Sequence, residues 1–126
     1  MDKILVIDDK DGIRTYFRSL LQRRGYEPLM AENGVEGCEL AADPEVRMII
    51  SDLRMPGELG EIELIRTLRT LRPEVPLVVI TGHPSGDLLQ QCEELGVKDF
   101  LAKPFELSFV TTVIERLIGP GAEKTE

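Results

Sequence analysis

The segment Lys3-Ile-Leu-Val-Ile-Asp-Asp9 carries the strongest structural signal in the chain. It is a short run of aliphatic residues, Ile4–Ile7, that ends abruptly in two acidic side chains, Asp8 and Asp9. Uninterrupted aliphatic runs of this length are typical of strands in parallel sheets, because both faces of such a sheet are covered. The segment therefore predicts a buried parallel strand with a pair of carboxylates at its carboxyl end.

Similar signals alternate along the rest of the chain. Further strands are predicted over Tyr26–Ala31, Val46–Ser51, Leu77–Ile80 and Phe100–Ala102. Apolar residues at helical spacing predict a helix after each strand. They are Ile13, Phe17, Leu20 and Leu21, then a short helix from Asn33 and Glu36 to about Ala42, then Ile62, Ile65 and Leu68, then Leu88, Leu89, Cys92 and Leu95, and finally Leu107, Val110, Val113, Ile114 and Leu117. Five strands alternating with five helices imply one α/β domain whose parallel sheet is covered on both faces.

Length and composition narrow the function classes. The 126 residues fit one domain, and 42% hydrophobic with 30% charged residues is ordinary for a folded protein. The net charge of −8 would repel a phosphate backbone, so direct nucleic-acid binding by this domain is disfavoured. No apolar run exceeds four residues, which excludes a membrane-spanning helix and a signal peptide. We expect a cytoplasmic protein in which Cys38 and Cys92 are reduced.

Polar residues follow four of the five predicted strands. Asp8 and Asp9 follow the first strand, Asp52 the third, Thr81 the fourth and Lys103 the fifth. Each alone has a plain explanation, such as a helix cap for an aspartate or a solvated surface for a lysine. Ligands of open parallel sheets bind at the carboxyl ends of the strands. The coincidence of all these residues at that edge predicts a functional site.

The charges of this set indicate its chemistry. Three carboxylates and one ammonium sum to −2, which is self-repelling at close range. Carboxylates without histidine or cysteine suit Mg²⁺, which binds through one or two of them together with a phosphate. With the metal bound, an anionic phosphoryl group becomes acceptable, and a carboxylate can act as nucleophile to form an aspartyl phosphate. A lysine and a hydroxyl would neutralise and orient the phosphoryl oxygens.

This pattern resembles the receiver domain of two-component response regulators. The matching residues are Asp8-Asp9, Asp52-Leu-Arg-Met-Pro56 with Gly60, Thr81-Gly82, and Lys103-Pro104-Phe105. The resemblance covers roughly residues 3–118. It implies a doubly wound, flavodoxin-like fold with strand order 2-1-3-4-5. We expect the domain to occupy residues 1–118, with residues 119–126 as a flexible tail or the start of a linker.

The resemblance also implies roles for the charged residues. Asp52 would accept a phosphoryl group from a histidine kinase or a histidine phosphotransfer protein. Asp9 would be the main Mg²⁺ ligand and Asp8 would assist, often through water. Asp52 and the backbone carbonyl of Arg54 would complete the metal set. Lys103 would pair with the phosphoryl oxygens. On this interpretation the chain is a signalling phosphoacceptor, which catalyses only its own phosphoryl transfer and dephosphorylation.

Two further residues would report phosphorylation to a partner. Thr81 would move its hydroxyl to meet a phosphoryl oxygen, and Phe100 matches the aromatic switch position of the family. The surface that changes would lie within residues 84–118, which we expect to contact an effector domain or a second copy of the domain. The resemblance also implies a cis peptide bond between Lys103 and Pro104.

Arg54 and His83 lie two residues after Asp52 and Thr81. They would flank the site and control water access to the phosphoryl group, or they would simply point to solvent. A phosphatase of the haloacid-dehalogenase type would need an acid where Arg54 stands. In a flavin binder, Asp8 and Asp9 would repel the flavin phosphate. A receiver-like interaction module that works without phosphorylation stays open as the alternative.

Overall fold

The computed structural model describes residues 2–53, 61–82, 86–103 and 106–119. Strands and helices alternate along these residues, as the apolar pattern predicts. They are β1 (Lys3–Ile7), α1 (Asp11–Arg23), β2 (Glu27–Ala31), α2 (Gly34–Ala41), β3 (Val46–Asp52), α3 (Glu61–Leu71), β4 (Leu77–Thr81), α4 (Gly86–Glu94), β5 (Asp99–Ala102) and α5 (Leu107–Ile118). The predicted α/β class is therefore confirmed.

The strands form one sheet in the order β2-β1-β3-β4-β5, and every neighbouring pair is parallel. This order confirms the doubly wound, flavodoxin-like arrangement. Because β1 lies inside the sheet and pairs with both β2 and β3, the chain reverses its direction of winding between β1 and β3. Such a reversal creates a crevice at the carboxyl ends of the two strands. Asp8 and Asp52 lie there.

The side chains of β1 explain why its sequence is a continuous apolar run. Ile4 and Val6 pack in a buried cluster with residues of α1 and α5, whereas Leu5 and Ile7 belong to a second cluster with residues of α2, α3 and α4. Successive strand residues point to opposite faces, so a sheet covered on both faces requires apolar residues at every position. The four residues Ile4–Ile7 are fully buried.

One glycine allows a helix to approach β1 closely. A Cβ atom on Gly37 of α2 would lie 2.5 Å from Cδ1 of Ile7 and 2.8 Å from its Cγ1. Non-bonded contacts this short essentially never occur at a real Cβ atom, so a larger residue would require Ile7 or α2 to shift. Gly37 thus allows α2 and the side chain of Ile7 to pack closely.

Glycines follow the ends of two helices, and an asparagine caps the start of a third. Gly25 and Gly96 have φ of 86° and 87° just beyond α1 and α4, in the left-handed region that glycine favours. Asn33 accepts a hydrogen bond from the backbone N–H of Glu36 (2.8 Å) at the start of α2. The Glu36 carboxylate accepts the N–H of Glu32 rather than that of Asn33, so the reciprocal capping box is only partly formed.

Some strand limits differ from the predicted ones. β3 and β4 each extend one residue further than expected, through Asp52 and Thr81. β2 begins at Glu27, and Tyr26 precedes it as a buried residue whose hydroxyl donates to the carbonyl of Gly119. An apolar residue next to a strand cannot be told from a strand residue by pattern alone, because both are buried.

Candidate functional site

Parallel pairing brings the predicted site residues to one edge of the sheet. Ile7 of β1 is paired with Ser51 of β3, so the residues that follow, Asp8 and Asp52, lie side by side. Thr81 ends β4 and is 1% exposed. Lys103 follows β5 directly. The predicted convergence of strand ends therefore exists in the structure.

An acidic triplet forms the centre of the site. Asp8, Asp9 and Asp52 each offer a carboxylate oxygen, and these oxygens all lie within 4.8 Å of one another. Asp8 and Asp52 are buried, with exposures of 0% and 2%, whereas 28% of the Asp9 side chain is exposed. The two buried carboxylates thus form the floor of the site and Asp9 its rim.

Lys103 places an ammonium group against this floor. Its Nζ donates to Oδ2 of Asp52 at 3.3 Å and lies 3.9 Å from Oδ2 of Asp8. The stem of Lys103 passes over Gly82, where an added Cβ would stand 3.8 Å from Cδ of the lysine. The prediction that Lys103 faces Asp52 agrees with this geometry.

Asp8 has an incompletely paired carboxylate. Its Oδ1 accepts the backbone N–H of Lys10 at 2.9 Å, but Oδ2 accepts no hydrogen bond from any residue in the described part of the chain. Burial raises the pKa of Asp8, and the negative charge of Asp52 adds to the rise, while the Lys10 hydrogen bond opposes it. A buried anionic oxygen without a donor is costly unless a cation neutralises it.

The donor set fits a divalent cation. Three carboxylates within one cluster, one of them with an orphaned buried oxygen, provide the hard oxygen ligands that Mg²⁺ prefers. Asp8, Asp9 and Asp52 would hold such an ion. The charge that the ion supplies would offset the mutual repulsion of the carboxylates.

Two cations near the triplet were not singled out from the sequence. Arg14 of α1 donates to the backbone carbonyl of Asp8 at 2.8 Å and also pairs with Asp11. Lys10 extends its ammonium to Oδ1 of Asp9 at 3.4 Å. The charge of Asp9 is the main reason why the pKa of Lys10 is raised, and Asp52 adds to the rise. The position of Lys10 next to Asp9 in the sequence was the available signal.

Thr81 and Phe100 share one face of the sheet. Phe100 is paired with Val79 across β4 and β5, and Thr81 lies two residues beyond Val79. Residues two apart in a strand point to the same face. Phe100 is partly buried and packs against the cluster that contains Val79.

Three predicted site residues, Arg54, His83 and Pro104, lie outside the described residues, as do Gly60 and Phe105 of the quoted motifs. Every helix among the described residues falls short of the length and apolar character that crossing a membrane requires.

Comparison with known proteins places this geometry in a family. The family model "Response regulator receiver domain" matches residues 4–115, which is most of the chain. Sporulation initiation phosphotransferase F of Bacillus subtilis is 25% identical over 117 residues, covering 93% of this chain and 94% of that protein. Several other curated relatives are transcriptional regulatory proteins, and the chain spans only 54% or less of their length.

Solved structures agree with this match. The chemotaxis protein CheY4 of Vibrio cholerae superposes with a TM-score of 0.85 at 28% identity, covering 94% of this chain and 99% of that one. A response regulator of Burkholderia pseudomallei, solved with a phosphorylated aspartic acid, a calcium ion and citrate, has a TM-score of 0.80 at 30% identity, covering 93% and 66% of the two chains. The chain described here therefore belongs to the response regulator receiver domains of two-component signal transduction.

Proposed function

We propose that Asp52 accepts a phosphoryl group from a histidine kinase or a histidine phosphotransfer protein, with Mg²⁺ held by Asp8 and Asp9. The observation that carries this proposal is the Lys103 ammonium 3.3 Å from the buried Asp52 carboxylate, beside two further carboxylates. The crevice then contains a nucleophile, further carboxylates that could hold a metal ion, and an ammonium group for the phosphoryl oxygens. The phosphorylated aspartic acid and calcium ion of the Burkholderia protein support the same chemistry.

Each residue has a distinct task in this reaction. A carboxylate oxygen of Asp52 attacks phosphorus, the bond from phosphorus to the donor histidine breaks, and the imidazole leaves with the electron pair and takes up a proton. Lys103 pairs with a phosphoryl oxygen as charge shifts onto it. Asp9, the more exposed acid, would hold the metal ion, and Asp8 would assist. Bound Mg²⁺ supplies positive charge for the phosphoryl oxygens.

Mass spectrometry after incubation with acetyl phosphate and Mg²⁺ tests the assignment. We expect one added phosphoryl group in the wild type, labile to base, and none in Asp52→Asn. Asp2→Asn is a matched control, because Asp2 is an exposed acid at the opposite end of β1 and should leave the yield unchanged. Unchanged labelling of Asp52→Asn would refute the proposal.

A relay through Thr81 and Phe100 would carry the signal. Because both side chains share one face of β4 and β5, movement of the Thr81 hydroxyl toward a phosphoryl oxygen would open space on the side where Phe100 lies. Phe100 is only partly buried, so further burial of its side chain would favour an inward position. The two groups would thus move together.

The responding surface would be the one formed by α4, β5 and α5, within residues 84–118. We propose this surface as the contact for an effector domain or a second copy of the domain. The domain itself would occupy residues 1–118, with residues 119–126 as a tail or the start of a linker. The lengths of the curated relatives are compatible with an attached effector domain.

Amide chemical shifts with and without a phosphoryl mimic test the relay. In the wild type we expect changes throughout residues 86–103 and 106–118. Thr81→Ala should bind the mimic but reduce these changes. Thr70→Ala is the matched control, since Thr70 is exposed on α3 and its hydroxyl donates to the Arg66 carbonyl one turn earlier. A full response in Thr81→Ala would contradict the relay.

A further inference from the structure

Lys10 contacts two acids of the triplet, Asp8 through its backbone and Asp9 through its side chain. Its backbone N–H donates to Oδ1 of Asp8 at 2.9 Å, and its ammonium lies 3.4 Å from Oδ1 of Asp9. Lys10 is the N-cap residue of α1, with an extended backbone, but its side chain makes no capping hydrogen bond. The side chain is therefore available to the carboxylate without any role in starting the helix.

The two lysines near the triplet differ in their freedom to move. Lys103 has 22% of its side chain exposed and contacts two buried carboxylates, whereas Lys10 has 58% exposed and contacts the partly exposed Asp9. A long, solvated side chain can leave such a contact at little cost. Lys10 also lowers the local negative charge, so that five charged groups sum to −1 instead of the −2 expected from the sequence.

We infer that Lys10 is a built-in competitor of the divalent cation: its ammonium occupies Asp9 in the metal-free protein and has to leave before the cation binds that carboxylate. The inference rests on the metal site proposed above. A contact of this kind weakens metal binding by its own strength, because the ion has to replace it. The ammonium nevertheless stays tethered one residue from Asp9, where it continues to repel the ion.

Exposed ion pairs are weak, which sets the size of the effect. Their usual strength corresponds to a change of about two- to five-fold in a dissociation constant. Lys10→Gln should therefore bind Mg²⁺ about two- to five-fold more tightly than the wild type. Lys10→Arg keeps the charge and should bind like the wild type. The difference between Lys10→Gln and the wild type should shrink at high ionic strength.

Calorimetric titration of the full chain with Mg²⁺ at low ionic strength measures these affinities. The matched control is Lys98→Gln, because Lys98 is an exposed lysine just before β5, at the opposite end of the sheet. Both glutamine variants lower the net charge by one, but only Lys10→Gln removes the contact with Asp9. We expect Lys98→Gln to match the wild type, and the Mg²⁺-induced rise in Tm to be larger in Lys10→Gln.

The outcomes separate this inference from the proposed function. Wild-type affinity in Lys10→Gln, or an equal gain in Lys98→Gln, would overturn the role of Lys10 and leave the metal site standing. Equal Mg²⁺ affinity in the wild type and Asp9→Asn would instead overturn the metal site, and the role of Lys10 with it. Tighter binding in Lys10→Gln alone, lost in Asp9→Asn, would support both.

Discussion

At the amino end of the sheet, Lys3 Nζ lies 2.7 Å from Asp43 and 3.3 Å from Glu45, whereas at the carboxyl end Lys103 is shared between two buried acids. The side chains of the first cluster are partly exposed, and its two acids, Asp43 and Glu45, both pair with Lys3. The second holds more negative than positive charge and includes a carboxylate oxygen that accepts no hydrogen bond from the residues that the structure describes. The comparison teaches that one end of this sheet is arranged for stability and the other for binding a cation.

Arginines make the same distinction. Arg72 at the amino end has 14% of its side chain exposed and donates to the carbonyls of Ala41, Asp43 and Val46, at 3.0, 2.7 and 3.2 Å. It thereby ties the end of α2 and the start of β3 to the region after α3. Near the carboxyl end, Arg14 donates to a single carbonyl, that of Asp8. Arg72 thus adds a charged donor to three backbone carbonyls, one of which, that of Asp43, also accepts the N–H of Val46.

We expect the largest effect on stability from removing the Arg72 hydrogen bonds at the amino end of the sheet. Arg72→Met should lower the free energy of unfolding by about 2–4 kcal/mol, because hydrogen bonds from a charged donor to three carbonyls are lost. Denaturant unfolding measures this loss. Arg66→Met is the control, since Arg66 forms an exposed pair with Glu63 on α3 and should change stability by less than about 0.5 kcal/mol. Similar losses in both variants would contradict the special role of Arg72.

A smaller effect of opposite sign is expected at the carboxyl end. Asp8→Asn should raise the free energy of unfolding of the metal-free protein by about 1 kcal/mol, because it removes a buried charge next to Asp52. It should also weaken stabilisation by Mg²⁺. Asp2→Asn, at the exposed start of β1, should have no such effect. Destabilisation by Asp8→Asn would contradict the repulsion that we infer.

The dependence of this difference on pH follows from the pKa of Asp8. Because burial raises that pKa above its ordinary value of 3.8, the folded protein holds the proton to higher pH than the unfolded chain does. Ionisation of Asp8 therefore costs stability as the pH rises above 3.8. The gain in stability of Asp8→Asn over the wild type should therefore grow as the pH rises above 3.8 and disappear in acid. Unfolding measured at several pH values tests this dependence.

The smallest effect is expected at Asp43. The hydrogen bond from Lys3 lowers the pKa of Asp43 below its ordinary value of 3.8. Its contribution to stability is thus present above pH 3.8 and is lost as the pH falls through the lowered pKa. Asp43→Asn should be slightly less stable than the wild type near neutral pH and equal to it in acid. An advantage of the wild type that persists in acid would show that the charge of Asp43 is not responsible.

Sequence patterns predicted the elements of the fold well, because each depends on short-range information. The apolar run of Ile4–Ile7 indicated a strand with both faces buried, and the helical spacing of Phe17, Leu20 and Leu21 indicated α1. The placement of Tyr26 failed for the same reason. Local patterns report burial, and Tyr26 is buried by packing rather than by strand pairing.

The residue types of the site were also determined by the sequence: carboxylates after two strands, a hydroxyl at the end of a third and an ammonium after a fourth. The tertiary structure decided which of them meet and how they are charged. Asp8 is buried and Asp9 is partly exposed, although they are neighbours in the chain. Oδ2 of Asp8 accepts no hydrogen bond from the described part of the chain. The sequence also did not determine that the ammonium of Lys10 lies against Asp9, where it reduces the negative charge of the cluster. Solvent exposure and distance between charges set these properties, and both arise only when the strands pair and the helices pack.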